Sequence, residues 1–116
     1  MAGVRTEIWS WGHRNELGIQ FAPDGTLWET EMGPEGGDEL NVVEPGSNYG
    51  WPEVSNGSDY GGGEIPDHAE GDGYAAPAAW WNPSISPGSL LVYDGAMFPD
   101  WRGDALIGAQ IGRAHV

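Results

Sequence analysis

Hydrophobic and polar positions along this chain alternate in short runs, and no apolar stripe keeps the 3.6-residue period of a helix beyond one turn. The runs read as strands. Glu7 to Trp11 is rich in strand formers and leads into Gly12-His13-Arg14-Asn15; Ile19 to Ala22, Leu27 to Thr30 and Leu40 to Val43 follow. Pro23-Asp24-Gly25 separates the second and third runs and is a tight-turn signal, so a hairpin is expected there. Glu44-Pro45-Gly46 closes the fourth run. Leu90 to Tyr93 and Ala105 to Ala109 are two further strands, separated by the turn-rich stretch from Asp94 to Arg102. The pattern predicts an all-β fold of short antiparallel strands, three of them within about 35 residues, close to a propeller blade.

The connections carry the candidate chemistry. Between Glu31 and Asn41 the chain reads Glu-Met-Gly-Pro-Glu-Gly-Gly-Asp-Glu-Leu-Asn. Glycine admits positive φ and lets a ligand approach, while proline withholds an N–H, so such a loop presents carbonyls outward. With Asp38 and Glu39 these are the hard oxygen donors that calcium prefers, although a plain turn between strands fits the segment equally well. Asn48-Tyr49-Gly50-Trp51-Pro52 reads as a structured loop packing its aromatics on a neighbouring sheet. Ser55 to Gly73 is polar and aperiodic, and loops of that length are usually functional or ordered by an ion. Ala75 to Trp81 is apolar and leads into Asn82-Pro83-Ser84.

Composition narrows the function classes. Gly 20 and Pro 9 in 116 residues suggest low complexity or a turn-dense β protein, and seven Trp with four Tyr decide for the latter. The net charge is -14, with four basic residues and no lysine, which argues against nucleic acid or an anionic membrane as partner. An acidic excess suits cation binding and a hydrated surface. Cysteine is absent, removing disulfides, zinc-thiolate sites and thiol nucleophiles. No apolar run approaches the ~18 residues of a membrane span, and residues 1–7 lack the apolar core of a signal peptide.

Five segments, in order and in register, carry a resemblance: Ile8-Trp-Ser-Trp-Gly-His-Arg-Asn, Glu31 to Asn41, Asn48-Tyr-Gly-Trp-Pro, Trp81-Asn-Pro-Ser-Ile-Ser-Pro and Phe98-Pro-Asp-Trp-Arg-Gly. Over roughly residues 7 to 110 the chain resembles the soluble pyrroloquinoline-quinone (PQQ)-dependent sugar dehydrogenases, that is, soluble glucose dehydrogenase and the aldose sugar dehydrogenases. The resemblance implies a six-bladed β-propeller, of which this length holds about two blades. Residues 1–110 are then expected to be a partial propeller truncated at both ends. Residues 111–116 are expected to be a non-native tail, since Ile111-Gly-Arg-Ala-His-Val is what a common sequencing adapter encodes; His115 is accordingly set aside.

The resemblance also implies roles. Arg14 and Asn15 would contact the quinone, and Arg suits a carboxylated, polyoxygenated anion. Gly33 and Pro34 would offer backbone carbonyls to the calcium ion that holds and polarises it. Glu39 and the Tyr49 carbonyl would match a second, structural calcium site. Trp81, Asn82 and Ser84 fall where the family touches the quinone, with core packing an equal reading for Trp81. His13 is expected to support its loop, and His68 to be a solvent-exposed loop residue rather than a general base. Departures from the family pattern are Met32, where relatives carry a polar residue, Glu16-Leu17, and Glu35, which adds negative charge beside an anionic cofactor.

The implied activity is oxidation of an aldose at C1 to its lactone with PQQ and calcium, passing electrons to an acceptor. The family's base histidine and its later cofactor-binding Lys and Arg residues have no counterpart here, so the isolated chain is expected to be inactive. By the same resemblance the protein is expected to be periplasmic or secreted; the sugar, the acceptor and the oligomeric state stay open. The alternatives are a non-enzymatic calcium-binding propeller that binds a partner or glycan, and an independent small calcium-binding β domain.

Overall fold

The structure, a computed structural model, describes residues 7–110 and the backbone of Arg113–His115. Its strands are β1 (Glu16–Phe21), β2 (Leu27–Glu31), β3 (Asp38–Val42), β4 (Ala79–Trp81), β5 (Pro87–Val92), β6 (Ala105–Ala109) and β7 (Arg113–His115). They form two antiparallel sheets, β1-β2-β3-β4 and β5-β6-β7. The only helical element among the described residues is the single 3-10 turn Pro99–Trp101, started by a proline at its first position. The all-β expectation holds.

The β1–β2 hairpin closes where the Pro-Asp-Gly signal stood. Gly25 donates its N–H to the Ala22 carbonyl at 2.9 Å, and Asp24 Oδ1 accepts the Thr26 N–H at 2.9 Å. Two boundaries differ from expectation. Residues 7–11 form no strand, because their polar groups pair with the 46–49 loop: Gly46 N–H donates to Trp9 O at 2.8 Å, and Tyr49 N–H to Trp11 O at 2.9 Å. The first strand begins instead at Glu16, with a bulge between Glu16 and Gly18. A fourth strand, β4, arises in the apolar 75–81 stretch, pairing Leu40 with Ala79 and Asp38 with Trp81. β7 runs through residues expected to be a non-native tail and pairs antiparallel with β6.

The sheets pack face to face through β1 and β2 against β5. Leu40, Ala105 and Ile107 form the buried core, with Trp28, Ala79, Trp81 and Leu90 packed around it. Burying Leu40 and Ile107 stabilises by about 1.5–3 kcal/mol each. Gly18 allows the close approach: a Cβ there would lie 2.7 Å from Thr30 Oγ1 and 2.9 Å from the Leu90 nitrogen. Gln20 bridges the sheets, its Oε1 accepting the Val92 N–H at 3.1 Å. Since side chains alternate along a strand, Leu17, Ile19 and Phe21 face the other way and are exposed.

Candidate functional site

The register of β2 on β3 sets Glu29 opposite Asn41 and Glu31 opposite Glu39. All four therefore share one face of the sheet, the face turned away from the apolar core, and all four are buried. Asn41 sits among the acids: its Nδ2 donates to Glu29 Oε2 at 3.1 Å, Glu39 Oε2 at 3.2 Å and Glu31 Oε2 at 3.4 Å. The 8–15 loop covers them. His13 Nδ1 lies 2.9 Å from Glu31 Oε2, its Nε2 2.9 Å from Ser10 Oγ, and its ring stacks on Tyr49 at 4.7 Å. The Arg14 N–H donates to Glu31 Oε1 at 3.0 Å. His13 thus supports its loop, as expected.

His68 departs from expectation. The 55–73 loop folds back over the same face, with Ser55 N–H donating to Pro66 O at 2.9 Å and His68 N–H to Asn56 Oδ1 at 3.2 Å. The His68 side chain is only 6% exposed, and Nε2 lies 3.5 Å from Glu39 Oε1. That is long for a hydrogen bond but close enough for electrostatic attraction. The loop is ordered by its own backbone pairs and by Asp72, which accepts the Ala69 and Tyr74 N–H groups.

Crowding in a dry space shifts the protonation of Glu29. Burial first, then the Glu31 charge, push the Glu29 pKa up to about 9. Burial by itself would lower the His13 pKa, but the hydrogen bond and charge of Glu31 outweigh it and the net shift is upward. The pairing of His68 with Glu39 raises its pKa against the opposing effect of burial.

Beside this cluster the glycine loop builds a small pocket. Gly36 and Gly37 have φ of +79° and +68°, and a Cβ on Gly37 would lie 2.2 Å from the Gly57 nitrogen. Glu35 and Ser58 exchange both backbone hydrogen bonds, at 2.8 and 3.0 Å, which ties the loop to the 55–73 segment. Arg14, Glu31, Gly33, Pro34, Glu39 and Tyr49 all line the pocket, which has room for about one water-sized sphere (≈ 10 Å³). The Arg14 guanidinium lies 5.4 Å from the Trp51 ring and 5.7 Å from the Tyr60 ring, while Nη1 donates to the Met32 carbonyl at 3.2 Å.

Of the residues singled out in sequence, the pocket brings together Arg14, Gly33, Pro34, Glu39 and Tyr49. Asn15, Trp81, Asn82 and Ser84 lie outside its lining. Asn15 is exposed; Trp81 packs on the core; Asn82 sits over Gly36, whose Cβ would meet its Oδ1 at 2.4 Å. Ser84 gives its hydroxyl to Asp38 Oδ2 at 2.5 Å. Asp38 is no spare metal donor, because it also accepts the N–H groups of Gly33, Ile85 and Ser86. Sequence reasoning missed Glu29, Glu31, Asn41, Trp51 and Tyr60. The signal was there for the first three: acids at alternate positions of one strand facing Glu39 and Asn41 on the next.

Comparison with known proteins agrees with this architecture. The sequence profile of the family described as Glucose / Sorbosone dehydrogenase matches residues 1–114, and the chain belongs to that family. It is 40% identical over 112 residues to aldose sugar dehydrogenase YliI of Escherichia coli K12, covering 93% of this chain and 30% of that protein. The crystal structure of the soluble aldose sugar dehydrogenase from Escherichia coli in the apo-form superposes with a TM-score of 0.82 at 37% identity, covering 95% of this chain and 33% of that one. The PQQ-bound form of aldose sugar dehydrogenase from Streptomyces coelicolor gives 0.67 at 28% identity, over 97% and 29% of the two chains. The chain thus spans about a third of the length of these relatives. Among the described residues no helix is long and apolar enough to cross a membrane.

Proposed function

We propose that this chain forms about two blades of a six-bladed propeller and, within a complete protein, supplies one wall of a PQQ and calcium site that oxidises an aldose at C1 to its lactone. The observation that carries the reading is the convergence of Arg14, Gly33, Pro34 and Tyr49 from three separate loops, with Glu39 from β3, on one pocket. The pocket's volume of ≈ 10 Å³ suits one ion, the structural calcium beside the Glu39 carboxyl, while the second calcium would arrive with the quinone and be completed by it.

In this reading the Gly33 and Pro34 carbonyls would help hold the calcium that binds with the quinone, and Glu39 with the Tyr49 carbonyl would hold a structural calcium. Arg14 pairs with the quinone's carboxylates, its guanidinium preset by Trp51, Tyr60 and the Met32 carbonyl. Asn15 and the exposed Asn82 complete the contact, with Trp81 and Ser84 contributing through the loop they shape. When bound, PQQ supplies the hydride acceptor and calcium the Lewis acid. The chain's own residues bind and orient; the proton acceptor belongs to another part of the protein, as does delivery of electrons to the acceptor. By family resemblance the complete protein acts in the periplasm or outside the cell.

The test is a graft. Residues 7–110 replace the matching segment of the Escherichia coli relative, and PQQ binding and sugar oxidation are followed by absorbance with a dye acceptor. The graft is expected to bind PQQ and turn over, Arg14→Lys to weaken PQQ binding about tenfold or more, and the isolated chain to show no turnover above a cofactor-only blank. A folded graft that fails to bind PQQ overturns the proposal.

A further inference from the structure

Three carboxyl groups, of Glu29, Glu31 and Glu39, meet on one buried sheet face, and the Asn41 amide between them has two hydrogens to offer three acceptors. Three acids face two imidazoles in a space where unpaired charge is costly, so the metal-free cluster is balanced only by protons, which a bound cation can replace.

The unfilled bonding capacity lies around the same cluster. Glu29 is 2% exposed and its Oε1 has no hydrogen-bond partner. Asn41, fully buried, leaves Oδ1 unpartnered. Independently, His68 arrives from another loop with a side chain 6% exposed, neither ring nitrogen hydrogen-bonded, and Nε2 aimed at Glu39. Native interiors rarely leave so many polar atoms unsatisfied in one place unless an ion or ordered water binds there.

The geometry around His13 suits a metal. One donor atom each from His13, Glu29 and Glu31 lie within 4.8 Å of one another. His13 Nδ1 is 2.9 Å from Glu31 Oε2 and 3.9 Å from Glu29 Oε2. Adjacent ligands of an ion with bonds of about 2.0–2.2 Å lie at such spacings. The outer support is also present: His13 Nε2 lies 2.9 Å from Ser10 Oγ, so with Nε2 protonated and donating there, the Nδ1 lone pair faces the two carboxyls.

We propose that His13, Glu29 and Glu31 bind one divalent first-row transition-metal ion, of the Mn²⁺, Co²⁺ or Zn²⁺ class. One imidazole with two carboxyls favours these ions over calcium, which takes oxygen donors alone. The site shares the Glu31 neighbourhood with the proposed calcium pocket but uses neither the glycine-loop carbonyls nor Glu39 as a ligand. It does not depend on the PQQ reading. Bound metal replaces the proton between His13 and Glu31 and clamps the 8–15 loop onto β2.

The test uses the 116-residue chain stripped with chelator and titrated with Co²⁺, read by its visible absorption, with thermal stability measured in parallel. One equivalent of saturable Co²⁺, retained in excess Ca²⁺ and raising the melting temperature, is expected. Glu29→Gln keeps the shape and the Asn41 hydrogen bond, and is expected to lower affinity well beyond the roughly tenfold loss that removing a ligand's hydrogen-bond partner causes. Ser10→Ala is expected to cost about that tenfold and serves as the readout if Glu29→Gln fails to fold. Absence of saturable binding, equal displacement by Ca²⁺, or unchanged affinity in the folded Glu29→Gln chain (or, failing that, in Ser10→Ala) overturns the site. Loss in Glu39→Gln with retention in Glu29→Gln overturns it too, by assigning the ion to the calcium pocket.

Discussion

Ser84 donates its hydroxyl to Asp38 Oδ2 at 2.5 Å across 46 positions of sequence, joining the loop before β5 to the first residue of β3. The same carboxyl accepts the Gly33, Ile85 and Ser86 N–H groups at 2.9–3.0 Å, and Ser86 is held at a φ of +52° in the process. One buried side chain thus fixes the glycine loop and the entry to the second sheet.

Asp38→Ala is therefore expected to be among the most damaging single changes. It strands several donors at a fully buried position, at about 3 kcal/mol or more in total. Ser84→Ala removes the bond to Asp38 and the longer one accepted from the Ser86 N–H, which keeps its bond to Asp38, and is expected to cost about 1 kcal/mol. Urea denaturation of the two variants measures the difference; equal midpoints would show that Asp38 is no hub.

Stability is expected to fall as pH rises from about 4.5 to about 9 in metal-free buffer. Glu29 holds its proton up to about 9 in the folded state, against 4.5 ordinarily, and the His13 and His68 pKa values are raised as well. In each case the folded chain binds more protons than the unfolded one, so stability is full below the unfolded pKa and is lost as pH climbs through the folded value. Glu29→Gln is expected to flatten the slope and to stabilise the chain by a few kcal/mol at pH 8. Melting curves across pH give the comparison, and a slope identical in the variant would remove Glu29 as its source.

Gly37→Ala tests the tight seam between the glycine loop and the 55–73 segment. The new Cβ would fall 2.2 Å from the Gly57 nitrogen at a φ of +68°. Backbone displaces less readily than a side-chain tip, so a loss of roughly 2 kcal/mol or more is expected. Gly25→Ala, with nothing within 4 Å but a φ of +89°, is expected to cost roughly 1 kcal/mol from backbone strain alone. Equal losses at the two sites would mean that the seam is looser than it looks.

The outward face of β1 is expected to drive self-association of the isolated chain. Ile19 is 67% exposed and Phe21 62%, on a strand whose other edge has no partner strand among the described residues. Ile19→Lys is expected to shift sedimentation toward monomer while leaving the melting temperature within a few degrees. Unchanged association would place the sticky surface elsewhere, such as the Phe98–Trp101 stack.

Short alternating runs and Gly/Pro punctuation were enough to define an all-β chain, the β1–β2 hairpin and strands β2, β3 and β6, because those signals are local and recur every few residues. The glycine loop stood out by composition and Arg14 through the family resemblance, and both line the same pocket. What alternation leaves open is which face is buried. By residue type alone, strand acids such as Glu29 and Glu31 would sit in solvent and apolar residues such as Ile19 and Phe21 in a core. Tertiary structure inverted both, by folding the 8–15 and 44–74 loops over the acids and leaving the apolar side of β1 uncovered. His68, read as exposed, became buried for the same reason. Its place depends on where a long loop lands, and that is settled by backbone pairs such as Ser55 with Pro66 and Glu35 with Ser58 that no periodicity encodes.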